Sequence, residues 1–552
     1  MSRNGRSILI IVLALLVLLL ACGVAGVLFF RALNRDDQPL TATPITVGEP
    51  SATRAAASGG VLRLYGGEPA TLDPAMVQDS TSAQYVVHLF SGLVSLDQNL
   101  DVVPDLATHW DVSEDGLVYT FYLRNDATFA DGTPITADDL VYSIERACSP
   151  ALGSPVAPVY LGDIVGAAAF GAGEAQSIAG LEAREPYVLR VRIDAPKAYF
   201  LAKLTYATAF VVDRRQTEQG GNAWMLEPNG SGPFVLDSLT REGIVLVRNN
   251  RYYGSTPALQ RVEFVLSSGQ PMTMYENDQL DIVGVSAYEI ERVQDPLNPL
   301  NAELVVAPEL SVEYLGLNVN IAPFDDVAVR QAFACAIDRD KLANLVYKGT
   351  ALPAKGILPP SLPDYNPELE GLPYDPARAR QLLASSRYGS AEQLPEIVLT
   401  IDGTSGYMSS TAAAVVGMIE ENLGIKMRVE QVDWPDFLHD LTLKRYQMFS
   451  SGWIADYPDS QDFMDILFHS ASSQNHTGFN DPQVDDLLER ARVASEAERT
   501  ALYREAEARI VESATWIPLT HGTTISLVKP WVQGYPASAN MYPWLKDISL
   551  AR

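Results

Sequence analysis

The sharpest hydrophobic contrast in the chain is at its start. Met1–Ser7 carries Arg3 and Arg6, and Ile8–Phe30 then holds no charged residue. About 23 residues rising ~1.5 Å each reach roughly 35 Å, enough to cross a hydrocarbon core with some tilt. The pattern predicts a transmembrane helix over 8–30, within a membrane anchor over 1–35. Leu19-Leu20-Ala21-Cys22 offers a second reading, a lipoprotein processing box in which Cys22 is lipidated. The apolar run continues through Val27-Leu28-Phe29-Phe30 and Leu20 is bulky for its place, so the uncleaved helix is preferred. Either anchor leaves the remainder outside the cytoplasm, held to the membrane. Residues 36–58 are rich in Thr, Pro, Ala and Ser without apolar periodicity, which predicts a flexible linker.

Beyond Gly60 the pattern alternates between periods of two and of about 3.6. Val61–Tyr65 reads as a strand, and Leu117–Leu123 alternates after an Asp115-Gly116 turn. Thr136 with Asp139 forms a capping-box pattern at a helix start. Val188–Ile193 and Ile244–Arg248 are further strands. The C-terminal half is clearer still. Strands at Ile397–Ile401, Ile425–Val432 and Tyr446–Trp453 alternate with helices over Thr411–Leu423, which ends at Gly424, and from Asp433 to about Lys444. This order predicts a parallel sheet with right-handed crossovers. Asp481-Pro482 opens another helix, and Leu502, Ala506 and Ile510 mark one more.

A length of 552 residues predicts two or three packed lobes. Lys and Arg number 40 against 68 Asp and Glu, a net charge of -28, which argues against a nucleic-acid partner. Cys22, Cys148 and Cys335 form no C-x-x-C pair, so a cysteine-built metal site is excluded. Cys148 shares an apolar helix face with Leu140, Val141 and Ile144 and reads as a buried thiol. A bridge between Cys148 and Cys335 is left open. No H-E-x-x-H, G-x-S-x-G or Walker pattern occurs, and the six histidines are scattered. No metal, cofactor or enzyme activity is therefore expected, and an extracytoplasmic hydrolase is a distant alternative.

In open α/β sheets ligands bind beyond the carboxyl ends of the strands. The third strand of the predicted βαβαβ unit ends in Gly452-Trp453-Ile454-Ala455-Asp456-Tyr457-Pro458-Asp459. An aromatic platform beside carboxylates suits a cationic amine, through charge-assisted hydrogen bonds. The same residues also read as an acidic loop with Trp453 in the core.

Several segments, taken in order, resemble one family. They include Glu68–Pro74, Leu89–Leu93, Phe129–Asp139, Asn249–Gly254, Pro323–Asp326 with Val329–Phe333, Gly452–Pro458 and Val528–Val532. Together they are similar to family 5 solute-binding proteins, the oligopeptide- and dipeptide-binding components of ABC importers. The resemblance runs from about residue 60 to the C-terminus. It implies an α/β, two-lobed periplasmic-binding-protein-like fold, hinged, with an extra subdomain on the first lobe, preceded here by the N-terminal transmembrane helix. Lobe I would comprise 59–315 and 521–552, and lobe II 316–520. It implies a monomer that captures peptides and passes them to permease subunits. Asp456 would pair with a peptide α-ammonium, Trp453 and Tyr457 belong to the same block, and Ser80 and Val156 fall near the pocket. The arginines with which some members hold a peptide carboxylate are missing from Gln447–Ser451 and from Gly403–Tyr407. Members also bind oligosaccharides and metal complexes, so a non-peptide solute is the alternative ligand.

Overall fold

Branched and aromatic residues at every second position build three main sheets. The computed structural model describes residues 60–552 except 267–268 and 537–542. The expected anchor over 8–30, Cys22 and the linker over 36–58 lie outside the described residues. Among the described residues no helix is long and apolar enough to cross a membrane.

Val61–Tyr65 pairs in parallel with Arg261–Val265, and the sheet continues antiparallel through Gly243–Arg248 to Phe234–Leu239. A second antiparallel sheet runs Ala107–Val112, Val118–Leu123, Val188–Arg192, Leu181–Glu185. Its strands bury alternate residues, Tyr119, Phe121 and Leu123 on one and Leu189 and Val191 on the next. The helix Ala137–Cys148 packs beside it. The Asp139 carboxylate accepts the Thr136 N–H at 2.8 Å, closing the predicted cap.

The third sheet has eight strands. Ile397–Asp402 lies between Met427–Val432 and Met448–Ile454, all parallel, as the βαβαβ order predicts. The helix Ser410–Leu423 ends at Gly424 with φ 72°, a conformation that glycine adopts freely. Asp433 precedes the helix Trp434–Thr442 at the N-cap, although its side chain makes no capping bond.

Five strands not foreseen from the pattern complete this sheet. Ser311–Leu317 runs antiparallel to Met448–Ile454. Trp516–Val528 pairs with Ser311–Leu317 and Ala351–Pro353 along its first half, and with Leu304–Pro308 and Ile282–Gly284 along its second. These crossing segments tie the two lobes together. Cys148 and Cys335 are unbridged. Cys335 is buried, while Cys148 is half-buried and its thiol is pushed up to about 12 by burial.

Candidate functional site

The carboxyl ends of the parallel strands open on a cavity of about 460 Å³. Its walls come from segments far apart in sequence: Gln78–Ser80, Glu313 and Tyr314, Asp402, Trp434, Ser450–Ile454 with Asp456, and Gln474 with His476. The volume is of the size that holds a small organic molecule.

Asp456 stands just past the strand Met448–Ile454, and two hydrogen bonds place it. Its N–H donates to Asp462 Oδ2 at 2.9 Å, and the indole N–H of Trp453 donates to the same oxygen at 3.0 Å. The Tyr160 hydroxyl donates to Asp456 Oδ2 from the opposite lobe. Asp462 is fully buried and fixes both the backbone at Asp456 and the Trp453 platform. Burial raises the pKa of both carboxyls well above the usual carboxylate range, and the charge of Asp456 pushes Asp462 further. A carboxylate in this position gains most from a cation brought in with the ligand.

The expected site residues divide. Asp456, Trp453 and Ser80 line the cavity together. Tyr457 and Val156 do not line it. Tyr457 is 1% exposed, donates to Gln461 Oε1, and meets Tyr160 edge-on with ring centroids 6.3 Å apart. Val156 is 2% exposed, and its carbonyl accepts the N–H of Tyr160 at 3.1 Å. Both therefore brace Tyr160 from behind.

Several wall residues were missed from the sequence. Asp402 is the last residue of its strand, so the carboxyl-end rule applied to this strand would have flagged it. Glu313 is a charge inside the apolar run Val312–Leu317 and lies opposite Gly452. It faces the cavity space yet has protein massed around it. Burial first, then the charges of Glu309 and Asp402, push it up to about 7. His476 is kept neutral, its pKa lowered to about 3 by burial and by Lys444. Tyr160 and Asp462 carry no sequence signal apart from their neighbours in the fold. No group of side chains able to hold a metal ion occurs among the described residues.

Contacts between the lobes close over the cavity. Ser473 Oγ donates to Pro155 O at 2.7 Å, Gln474 Nε2 donates to the same oxygen at 3.3 Å, and the hydroxyls of Tyr288 and Ser410 lie 2.7 Å apart.

Comparisons with known proteins agree with this architecture. Residues 101–475 match the model of bacterial extracellular solute-binding proteins, family 5. The periplasmic murein peptide-binding protein MppA of Escherichia coli is 30% identical over 88% of this chain and 92% of its own length. The probable deoxycholate-binding periplasmic protein YgiS of the same organism is 31% identical over 85% and 89%. Among solved structures, E. coli MppA superposes with a TM-score of 0.82 at 28% identity, covering 90% of this chain and 99% of that one. DppA of Helicobacter pylori in complex with the peptide STSA gives 0.80 at 25% identity, covering 90% and 99%. The unliganded open form of MppA gives only 0.63 at 27% identity, over 90% and 98%. The lobes of this chain are thus arranged unlike that open form, in keeping with the contacts that seal the cavity. The chain belongs to family 5 of the bacterial extracellular solute-binding proteins.

Proposed function

We propose that this protein captures a peptide outside the cytoplasm by its free amino terminus and delivers it to an ABC permease. One observation carries the reading: a half-buried carboxylate, Asp456, stands on the cavity wall beside Trp453. A peptide ammonium there would gain a charge-assisted hydrogen bond in a site shielded from water. The relatives named for peptides and the peptide-bound structural neighbour favour this ligand class. The deoxycholate-binding relative is named for an organic anion, which the carboxylate-rich wall disfavours.

Capture would proceed by population shift. Open and closed arrangements exchange, and a ligand touching both lobes stabilises the closed one. In the division into 59–315 with 521–552 and 316–520, the break near residue 521 is supported by where Trp516–Val528 exchanges Ser311–Leu317 and Ala351–Pro353 for Leu304–Pro308. The tether, whether the helix over 8–30 or a lipid on Cys22, would keep a monomeric binding domain near its permease.

Calorimetry with a short peptide, run on the full chain and on Asp456→Ala, tests the assignment. Loss of one partner of a buried charge pair costs about 3 kcal/mol or more, over a hundredfold in affinity. Unchanged affinity removes Asp456 from the site.

A further inference from the structure

The cavity wall carries charge of one sign. Asp79, Glu313, Asp402 and Asp456 line it, and no lysine or arginine does among the described residues. Two of these carboxylates are engaged: Asp456 accepts from Tyr160, and Asp79 Oδ1 caps the helix Ser80–Leu89 through the N–H of Ser82 at 2.8 Å. Glu313 and Asp402 have no hydrogen-bond donor or ion pair for their carboxylates among the described residues. They stand on the same sheet edge, one opposite Gly452 and one at the end of its strand. Glu313 feels the charge of Asp402 as well as that of Glu309, with no cation beside it to offset them. Gly452 leaves the room that this needs, because a Cβ there would come within 2.6 Å of Glu313 Oε1.

A second observation points the same way. Asp79 Oδ2 and His476 Nε2 have no partner, although Asp79 is only 7% exposed and His476 9%. Both residues belong to the cavity wall. Buried polar atoms left unpaired are costly, and a ligand that donates to the Asp79 carboxylate removes that cost. The ring of His476 is neutral, so it adds no positive charge to balance the carboxylates.

Resting on the peptide-capture reading, we infer that this cavity selects ligands with two cationic groups. Asp456 takes the α-ammonium, and Glu313 with Asp402 takes a second ammonium or guanidinium, as on a lysine or arginine side chain. The same acidic edge repels a ligand carboxylate. This fits the absence of arginine from Gln447–Ser451 and Gly403–Tyr407. A polyamine shares the two-cation chemistry, and the test separates it from a basic peptide.

The full chain is titrated at pH 8 with Ala-Ala-Ala, with the three tripeptides in which one alanine becomes lysine, and with spermidine. At least one lysine tripeptide should bind about tenfold or more tightly than Ala-Ala-Ala, the gain of one charge-assisted pair. In the double variant Glu313→Gln with Asp402→Asn that ratio should fall to about one. Gly452→Ala, which keeps both carboxylates and displaces one, should lower it as well, so a folding defect in one variant does not decide the matter. Equal affinities for lysine and alanine peptides overturn the two-cation site and leave peptide capture standing. Spermidine binding without any peptide binding keeps the two-cation site and overturns peptide capture. Binding of neither overturns both.

Discussion

Single side chains in this protein are set largely by burial. Glu507 is 1% exposed, and its carboxylate accepts the N–H groups of Ile357 at 2.8 Å and Leu358 at 2.9 Å. Burial still prevails over those donors and raises its pKa to about 7. A raised carboxyl favours the neutral form in the folded state. Charging it therefore costs stability, a cost absent below the unfolded pKa near ~4 and complete above about 7. Glu507→Gln keeps an oxygen for both N–H groups and removes that cost. Thermal melting should show the variant gaining on the parent by up to about 3 kcal/mol between pH 5 and pH 8. A gap that stays constant across that range contradicts the reading. The site was only partly legible at this scale. Asp456 and Trp453 follow from one strand and the rule for strand ends. Asp402, at the end of its own strand, was open to the same rule, whereas Glu313, Tyr160 and His476 come from segments that only the folded chain brings together, and no local pattern encodes that.

At the scale of elements, the crossing strand Ser311–Leu317 is fastened to the site strand by close approach. Gly316 pairs with Phe449, and a Cβ at 316 would lie 2.5 and 2.6 Å from two carbons of that buried ring. Tyr314 of the same strand stacks on Trp516, with centroids 3.2 Å apart and planes at 6°. Gly316→Ala should overpack this seam and cost about 1–3 kcal/mol, read by denaturant unfolding. An unchanged midpoint would mean that the seam yields freely. The elements legible from sequence were those with one clean period: the βαβαβ unit over 397–454, the helix closed by Gly424 and the helix opened by Asp481-Pro482. Trp516–Val528 was not legible because it serves two groups of partners. Its first residues, Trp516–His521, are buried without alternation, and Pro518 and Gly522 interrupt the pattern that remains.

For the whole molecule, the division of labour lies between fixed and separable contacts. The strands that cross between the lobes are continuous sheet. The contacts at the mouth of the cavity include polar ones, such as Tyr288 with Ser410 and Lys348 with Glu291 at 3.2 Å. Polar contacts of that kind are worth little each in water, whereas the edge-on rings of Tyr160 and Tyr457 are buried, so a ligand touching both lobes adds to a balance that apolar packing also sets. A ligand at a hundred times its Kd adds about 2.7 kcal/mol to the stability of the closed form. Such a complex can survive gentle purification, which makes the cargo itself the most direct evidence. Native mass spectrometry of the freshly purified full chain, followed by release and fragmentation of whatever is bound, addresses the central claim. The account predicts a short peptide with a free amino terminus, lost from Asp456→Ala. A bound sugar or organic anion, retained by that variant, would contradict it.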